Sequence, residues 1–166
     1  MAQDIRLRIQ PNIGFQFFKK LIPKGLSDNA IVEEATRVVF DLCPDLKISY
    51  DWDTVEKDHY HPLHYHVYLG LFQMVVWLPE EEFEGRKFLY GGPDSINEFT
   101  PGYGDACIFE GNSELLIHGT SPLLSEVPVK SLGITTFYGQ PSIITDVFVK
   151  PNHPDRQYEA YTAYLL

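Results

Sequence analysis

The clearest periodic segment of the chain lies between residues 28 and 43. Its apolar residues recur at helical spacing, and they are Ile31, Ala35, Val38, Val39 and Leu42. Polar residues at 27–29 are suited to cap the first turn, and Pro44 would stop the helix. This pattern predicts one amphipathic helix over residues 28–43.

After this helix the pattern changes to short apolar segments rich in Val, Ile, Phe, Tyr and Leu, with Gly and Pro between them. The segments predicted as strands are 46–52, 65–78, 86–91, 105–110, 114–118, 129–138 and 143–149. Residues 4–22 predict one or two further strands, and residues 155–166 a final helix. Many short strands at this spacing are typical of a sandwich or barrel. We therefore expect a mainly β protein with its helix packed outside the strands.

Composition and charge narrow the classes of function. The 166 residues are 44% hydrophobic and 14% aromatic, which predicts a single packed domain over residues 1–166. The net charge is −10 and the basic residues do not cluster, so nucleic acid and anionic membranes are not expected as partners. The longest apolar run, 69–78, is too short for a membrane span. The N-terminus has no apolar signal segment. We expect a cytoplasmic protein with Cys43 and Cys107 as buried thiols.

Histidines provide the candidate chemistry. Four of the six fall within eight residues, 59–66. Because side chains alternate along a strand, His64 and His66 are predicted to point to the same side. His118 ends the predicted strand 114–118 and is the candidate third ligand. Imidazole ligands suit iron, zinc, copper and nickel more than magnesium or calcium, so the three histidines predict a site for one transition-metal ion.

The remaining histidines are interpreted differently. Pro62 is expected to interrupt any strand that would join His59 and His61 to His64, since proline cannot donate to the ladder. His59 and His61 are therefore expected near the mouth of the site, and His61 stays open as a substitute ligand. His153 is interpreted as an ordinary surface or core residue.

Several segments, in their order along the chain, resemble those of the 2-oxoglutarate and iron(II)-dependent oxygenases. The segments that carry the resemblance are 77–85, 88–91, 101–109, 115–119 and 129–137. In that family, segments like 77–85 and 88–91 follow the first metal-binding strand. Segments like 101–109 and 115–119 carry the distal metal histidine, and a segment like 129–137 forms the strand after it. The resemblance covers about residues 58–139. It implies a double-stranded β-helix of the jelly-roll or cupin-like kind, with one or two flanking helices.

The resemblance also implies a set of ligands. Iron(II) would be held by His64, His66 and His118, and 2-oxoglutarate would be the co-substrate. Lys130, twelve residues after His118, stands where a basic residue of the family binds the far carboxylate of 2-oxoglutarate. Tyr68, Ser131 and Thr135 are further candidates for hydrogen bonds to the co-substrate.

The implied activity is the hydroxylation of a substrate with dioxygen, with no catalytic residues beyond the metal ligands. The substrate, a small molecule or a peptide, is not identified by the sequence. A homodimer through an edge strand is left open.

The chain departs from the family pattern at three places, one of which is Lys130, where arginine is the more usual basic residue. It also has His-Tyr-His at 64–66, where His-x-Asp or His-x-Glu is typical, and Arg86 and Lys87 stand where glycine and an acidic residue are more usual. Three-histidine sites also occur in thiol dioxygenases and several cupins, which need no 2-oxoglutarate. Two alternatives therefore stay open: a cupin-like three-histidine metalloenzyme that does not use 2-oxoglutarate, and a non-enzymatic metal-binding β-helix domain.

Overall fold

A computed structural model of the chain describes residues 15–42, 44, 46–67, 72–92, 95–110, 117–137 and 145–148. At residues 67, 92, 95, 137 and 145–148 the description covers the backbone alone. The predictions made for Cys43, for Tyr68 and for a helix over 155–166 lie outside the described residues.

The described residues form two five-stranded antiparallel sheets and one helix. The strands are β1 (Phe15–Phe18), β2 (Lys47–Val55), β3 (His61–Val67), β4 (Gln73–Trp77), β5 (Phe88–Gly92), β6 (Ser95–Phe99), β7 (Ala106–Phe109), β8 (Ile117–Thr120), β9 (Val129–Phe137) and β10 (Thr145–Phe148), and the helix is α1 (Asp28–Leu42). The helix-side sheet has the order β1-β7-β4-β9-β2, and the histidine sheet has the order β10-β3-β8-β5-β6. This jelly-roll arrangement confirms the predicted fold class.

The main hydrophobic core lies between α1 and the helix-side sheet. One face of α1 and alternate residues of β4 and β9 fill it, among them Ile31, Ala35, Val39, Met74, Val76, Leu132 and Ile134, each at most 3% exposed. Burial of one such aliphatic side chain stabilises the fold by roughly 1.5–3 kcal/mol. Since Leu132 and Ile134 point to the helix, Ser131, Gly133 and Thr135 must face the histidine sheet.

A second, aromatic cluster joins the two sheets on the side of β1. Phe15 of the helix-side sheet stacks on Tyr90 of the histidine sheet with ring centroids 3.8 Å apart. Phe99 meets Phe15 edge-on, and Trp77 meets Phe88 in the same way. Such aromatic pairs each contribute roughly 0.5–1.5 kcal/mol beyond their buried area. The cluster therefore holds the sheets together at this edge.

The strand pattern corrects several predictions. The segment 65–78, predicted as one strand, contributes to two strands of different sheets. β3 begins at His61 and contains Pro62, which was expected to interrupt it; the register shifts between His61 and His64, and such an irregularity accommodates proline. β2 continues to Val55 because it pairs along the whole of β9 up to Val129.

Strand β6 was not predicted at all. It lies at the edge of the histidine sheet, and Asn97 and Glu98 in its middle are exposed. A polar edge strand lacks the alternation by which strands are recognised. The predicted burial of Cys107 is confirmed.

Among the described residues, the structure contains no helix with the length and apolar character that a membrane span requires.

Gly119 permits the close approach of β3 and β8. A Cβ at this position would lie 2.7 Å from the carbonyl oxygen of His61 and 3.0 Å from that of Pro62. We expect Gly119→Ala to lower the free energy of unfolding by about 1–3 kcal/mol, because the backbone of β3 must move. Urea denaturation followed by circular dichroism measures this change.

The matched control is Gly133→Ala on β9, where the nearest atom to an added Cβ is 3.9 Å away. This variant should change the stability by no more than about 0.5 kcal/mol. Equal losses of stability in the two variants would show that the close contact between β3 and β8 at Gly119 does not explain the effect of Gly119→Ala.

Candidate metal centre

Adjacent strands bring three histidines together. β3 pairs antiparallel with β8, and His64 lies directly opposite His118 in this pairing. His66, two residues further along β3, has its side chain on the same face, as strand parity predicts. The three side chains are buried, with relative exposures of 6%, 8% and 5% for His64, His66 and His118.

The distances fit one metal ion. The ring centroids are 4.4 Å apart for His64 and His118, 4.7 Å for His64 and His66, and 4.9 Å for His66 and His118. One ligand nitrogen from each ring lies within 4.8 Å of the other two, and the Nε2 atoms of His66 and His118 are 3.1 Å apart. Metal–nitrogen bonds of about 2.0–2.1 Å place ligand atoms up to roughly 4 Å apart. Small side-chain rotations therefore suffice to bind an ion.

A backbone carbonyl orients the first of these rings. The Nδ1 atom of His64 lies 2.6 Å from the carbonyl oxygen of Pro62, to which it can donate only as N–H. This contact assigns the tautomer and makes Nε2 the atom of His64 that could bind a metal ion. Metal-binding histidines are commonly held by a hydrogen bond of this kind from the other ring nitrogen.

The cluster forms one wall of a cavity of about 250 Å³ between the two sheets. On the wall opposite, β9 lines the cavity with the small residues Ser131, Gly133 and Thr135 and with Ile134, whose side chain is part of the main core. Apolar side chains, including Val75, Trp77, Phe88 and Phe109, line much of the remainder. Asp51 and Asp53 of β2 also line it and are exposed, so they mark its opening to solvent.

His59 and His61 lie beside the cluster and not in it. Their rings are 5.2 Å apart, and the ring of His61 is 6.2 Å from that of His64. Both residues are exposed, in agreement with a place at the mouth of the site. Desolvation, followed by the nearby positive charge of Arg86, lowers the pKa of each below its usual value.

The residues expected to bind the co-substrate have separate locations. Ser131 lines the cavity. Lys130, its neighbour, lies on the other face of β9, where its Nζ atom is 2.9 Å from Oδ1 of Asp28 and 4.4 Å from the ring centre of Trp52. The structure thus does not bring Lys130 to the histidine cluster.

Arg86 is a cavity residue that the sequence analysis did not assign. It is 6% exposed, and its Nη1 atom donates to Oγ1 of Thr120 at 2.7 Å and to Nδ1 of His59 at 3.3 Å. Burial lowers the pKa of Arg86 to about 10, against the opposing effect of the Asp53 carboxylate, so the group stays charged at neutral pH. The signal that could have found it was present: an arginine where the family pattern has glycine.

Comparison with known proteins supports the fold. No protein-family model and no curated protein matches the chain. Three solved structures that match are a prolyl-4-hydroxylase from Pseudomonas putida, HygX from Streptomyces hygroscopicus with nickel and 2-oxoglutarate bound, and an oxidoreductase of the 2OG-Fe(II) oxygenase family from Burkholderia pseudomallei.

The prolyl-4-hydroxylase from Pseudomonas putida has a TM-score of 0.59 at 11% identity, and the match covers 86% of this chain and 91% of the hydroxylase. HygX has a TM-score of 0.58 at 12% identity, and the match covers 75% of this chain and 82% of HygX. The Burkholderia protein has a TM-score of 0.54 at 15% identity. The match covers 76% of this chain and 65% of the Burkholderia protein. At these identities the likeness shows a common jelly-roll fold.

The composition of the cluster predicts which histidines bind metal. We expect the apoprotein to take up one equivalent of cobalt(II), and His118→Ala to weaken the binding more than about 100-fold, since losing a residue that only orients a ligand already costs 10- to 100-fold. Isothermal titration calorimetry measures both constants. The control is His61→Ala, which should leave the affinity within about threefold; a loss as large as that of His118→Ala would make His61 a ligand.

The contact between Arg86 and His59 predicts a titration shift. Replacing Arg86 by Gln removes a positive charge that opposes protonation of His59, so the pKa of His59 should rise toward its usual value. Desolvation remains and keeps the rise partial. Proton NMR titration of the imidazole signals of the apoprotein measures it. Lys130→Gln, which removes a cation on the other face of β9, should leave the pKa of His59 unchanged, and an equal rise would contradict the assignment.

Proposed function

We propose that this chain is a mononuclear non-haem iron oxygenase that uses 2-oxoglutarate to hydroxylate a small-molecule or peptide substrate. The observation that supports it most is the buried triad of His64, His66 and His118, placed on the wall of a jelly-roll cavity. Proteins of similar fold include 2-oxoglutarate oxygenases, and HygX has been solved with nickel and 2-oxoglutarate bound.

The donor set itself favours an anionic co-substrate. Three neutral imidazoles would leave both positive charges of iron(II) uncompensated, in place of the usual two histidines and one carboxylate. In a partly desolvated site such a charge attracts anions more strongly than it would in water. A dianion such as 2-oxoglutarate supplies the missing negative charge.

With iron(II) and 2-oxoglutarate bound, the site supplies one overall reaction. Dioxygen oxidises 2-oxoglutarate to succinate and carbon dioxide and converts a C–H bond of the substrate to C–OH.

The residues of the chain have simpler tasks in this proposal. The Pro62 carbonyl holds His64 in its ligating tautomer. The ring of Phe109 lies 4.5 Å from that of His118, and the neighbouring ring of Phe88 lies 6.4 Å from it, so the two rings together shield this imidazole from water. Ser131 and Thr135 offer hydroxyl groups to a ligand from the wall opposite.

The same donor set favours a second candidate. A three-imidazole cluster without a carboxylate among the described residues is also the arrangement of cupin-like metalloenzymes that do not use 2-oxoglutarate. The two candidates differ in what binds next to the metal, which makes them separable by spectroscopy.

Anaerobic addition of iron(II) and then 2-oxoglutarate tests the proposal. We expect a visible metal-to-ligand charge-transfer band, because the keto acid chelates the iron. His118→Ala should abolish the band, and the control His61→Ala should retain it. Iron binding without the band would support the cupin-like enzyme. If the protein takes up no iron, nickel or zinc above background, the metal site itself is refuted.

A further inference from the structure

Arg86 is the one Lys or Arg side chain that is buried among the described residues, and it also lines the cavity that contains the histidine cluster. Burying a charged group is costly unless a partner compensates it. Arg86 forms no ion pair with any described carboxylate. Its hydrogen-bond partners, Thr120 and His59, are neutral acceptors. The Asp53 carboxylate at the cavity opening acts on this cation without an ion pair, so no described carboxylate is in direct contact with the guanidinium.

The backbone around Arg86 holds this side chain in place. Gly85 and Arg86 both have positive φ angles, of 76° and 48°. A positive φ at a non-glycine residue is uncommon and persists where the surroundings impose it. Here the backbone N–H of Arg86 donates to the carbonyl of Pro122 at 2.9 Å, and Gly85 bridges to Leu123. This backbone and the side-chain hydrogen bonds to Thr120 and His59 together hold the guanidinium at the cavity wall.

Thr120 completes the arrangement. Its oxygen accepts hydrogen bonds from Nη1 of Arg86 and, at 2.9 Å, from the backbone N–H of His61. With both acceptor positions used, the hydroxyl proton remains to be donated, and no described residue accepts it. A carboxylate oxygen would accept from both Thr120 and Arg86.

The distance along β8 limits the size of the ligand. Thr120 lies two residues after His118 on the same face of the strand, which separates their Cα atoms by roughly 7 Å. On the neighbouring strand β5, Phe88 pairs with Thr120, and Arg86 lies only two residues before Phe88. Arg86 is therefore beside Thr120, at about the same distance from His118. A molecule that bridges the arginine and the metal ligands must therefore be short, with an acidic group at each end.

We propose that Arg86, together with Thr120, binds the distal carboxylate of a short dicarboxylate whose other end reaches the histidine-bound metal. This assignment rests on the proposed function and changes one part of it. The anion-binding cation comes from the loop before β5, not from Lys130 on the strand after His118. The charge of Lys130 is already matched by Asp28 and covered by the ring of Trp52.

A ligand pair tests the proposal on the wild-type protein. 2-Oxopentanoate has the carbon chain and keto acid group of 2-oxoglutarate but lacks the distal carboxylate. Calorimetric titration of the zinc(II)-loaded protein should show 2-oxoglutarate binding at least about 10-fold more tightly, the loss expected for a hydrogen bond to a charged group. Equal affinities would overturn the proposal.

Variants then assign the residue. Arg86→Gln should reduce the preference for 2-oxoglutarate to about twofold or less, and Lys130→Gln, the matched control, should retain it. Arg86→Lys keeps the charge without the planar fork and should give an intermediate preference; it carries the test if Arg86→Gln fails to fold, as judged by circular dichroism.

The two proposals fail in distinguishable ways. Loss of the preference in Lys130→Gln with its retention in Arg86→Gln or Arg86→Lys would overturn the role of Arg86 and leave the metal site intact. Absence of zinc uptake by the wild-type protein would refute the metal site on which both proposals rest.

Discussion

Antiparallel pairing between β3 and β8 places His64 opposite His118, and the other features of the site follow from this register. A slip by one residue would turn His118 to the opposite face of the sheet and separate it from His64 and His66. On the other side of the register shift at Pro62, the backbone N–H of His61 donates a hydrogen bond to Thr120 and so stabilises the pairing of the same two strands. The absence of a side chain at Gly119 lets them approach closely enough for these contacts.

Charge is distributed unevenly around the cavity. The imidazoles and Arg86 lie in its buried part, and the carboxylates of Asp51 and Asp53 lie where it meets solvent. The interior therefore favours anions, although the chain as a whole carries a net charge of −10. Net charge describes solubility and long-range encounters, and it says little about a pocket whose charges are local.

Local periodicity made the helix and the strand parity of His64 and His66 predictable, because both depend only on neighbouring residues. The face of Lys130 was not predictable from its spacing to His118, since the packing of α1 on Leu132 and Ile134 decides which side of β9 faces the cavity. The sequence showed Arg86 as a departure from the family pattern, but it could not show that this side chain is buried in the cavity. Its burial depends on Thr120 and Pro122, more than thirty residues away along the chain.

Small side chains at Ser131, Gly133 and Thr135 leave the space that aromatic rings fill elsewhere between the sheets. The space for a ligand thus depends on positions that lie outside the histidine cluster. In a diverging lineage, one larger residue at Gly133 could close the cavity and retain every histidine. A comparison of the three histidines alone would not detect such a loss. The residues on β9 would distinguish a protein with an open cavity from one in which the cavity is closed.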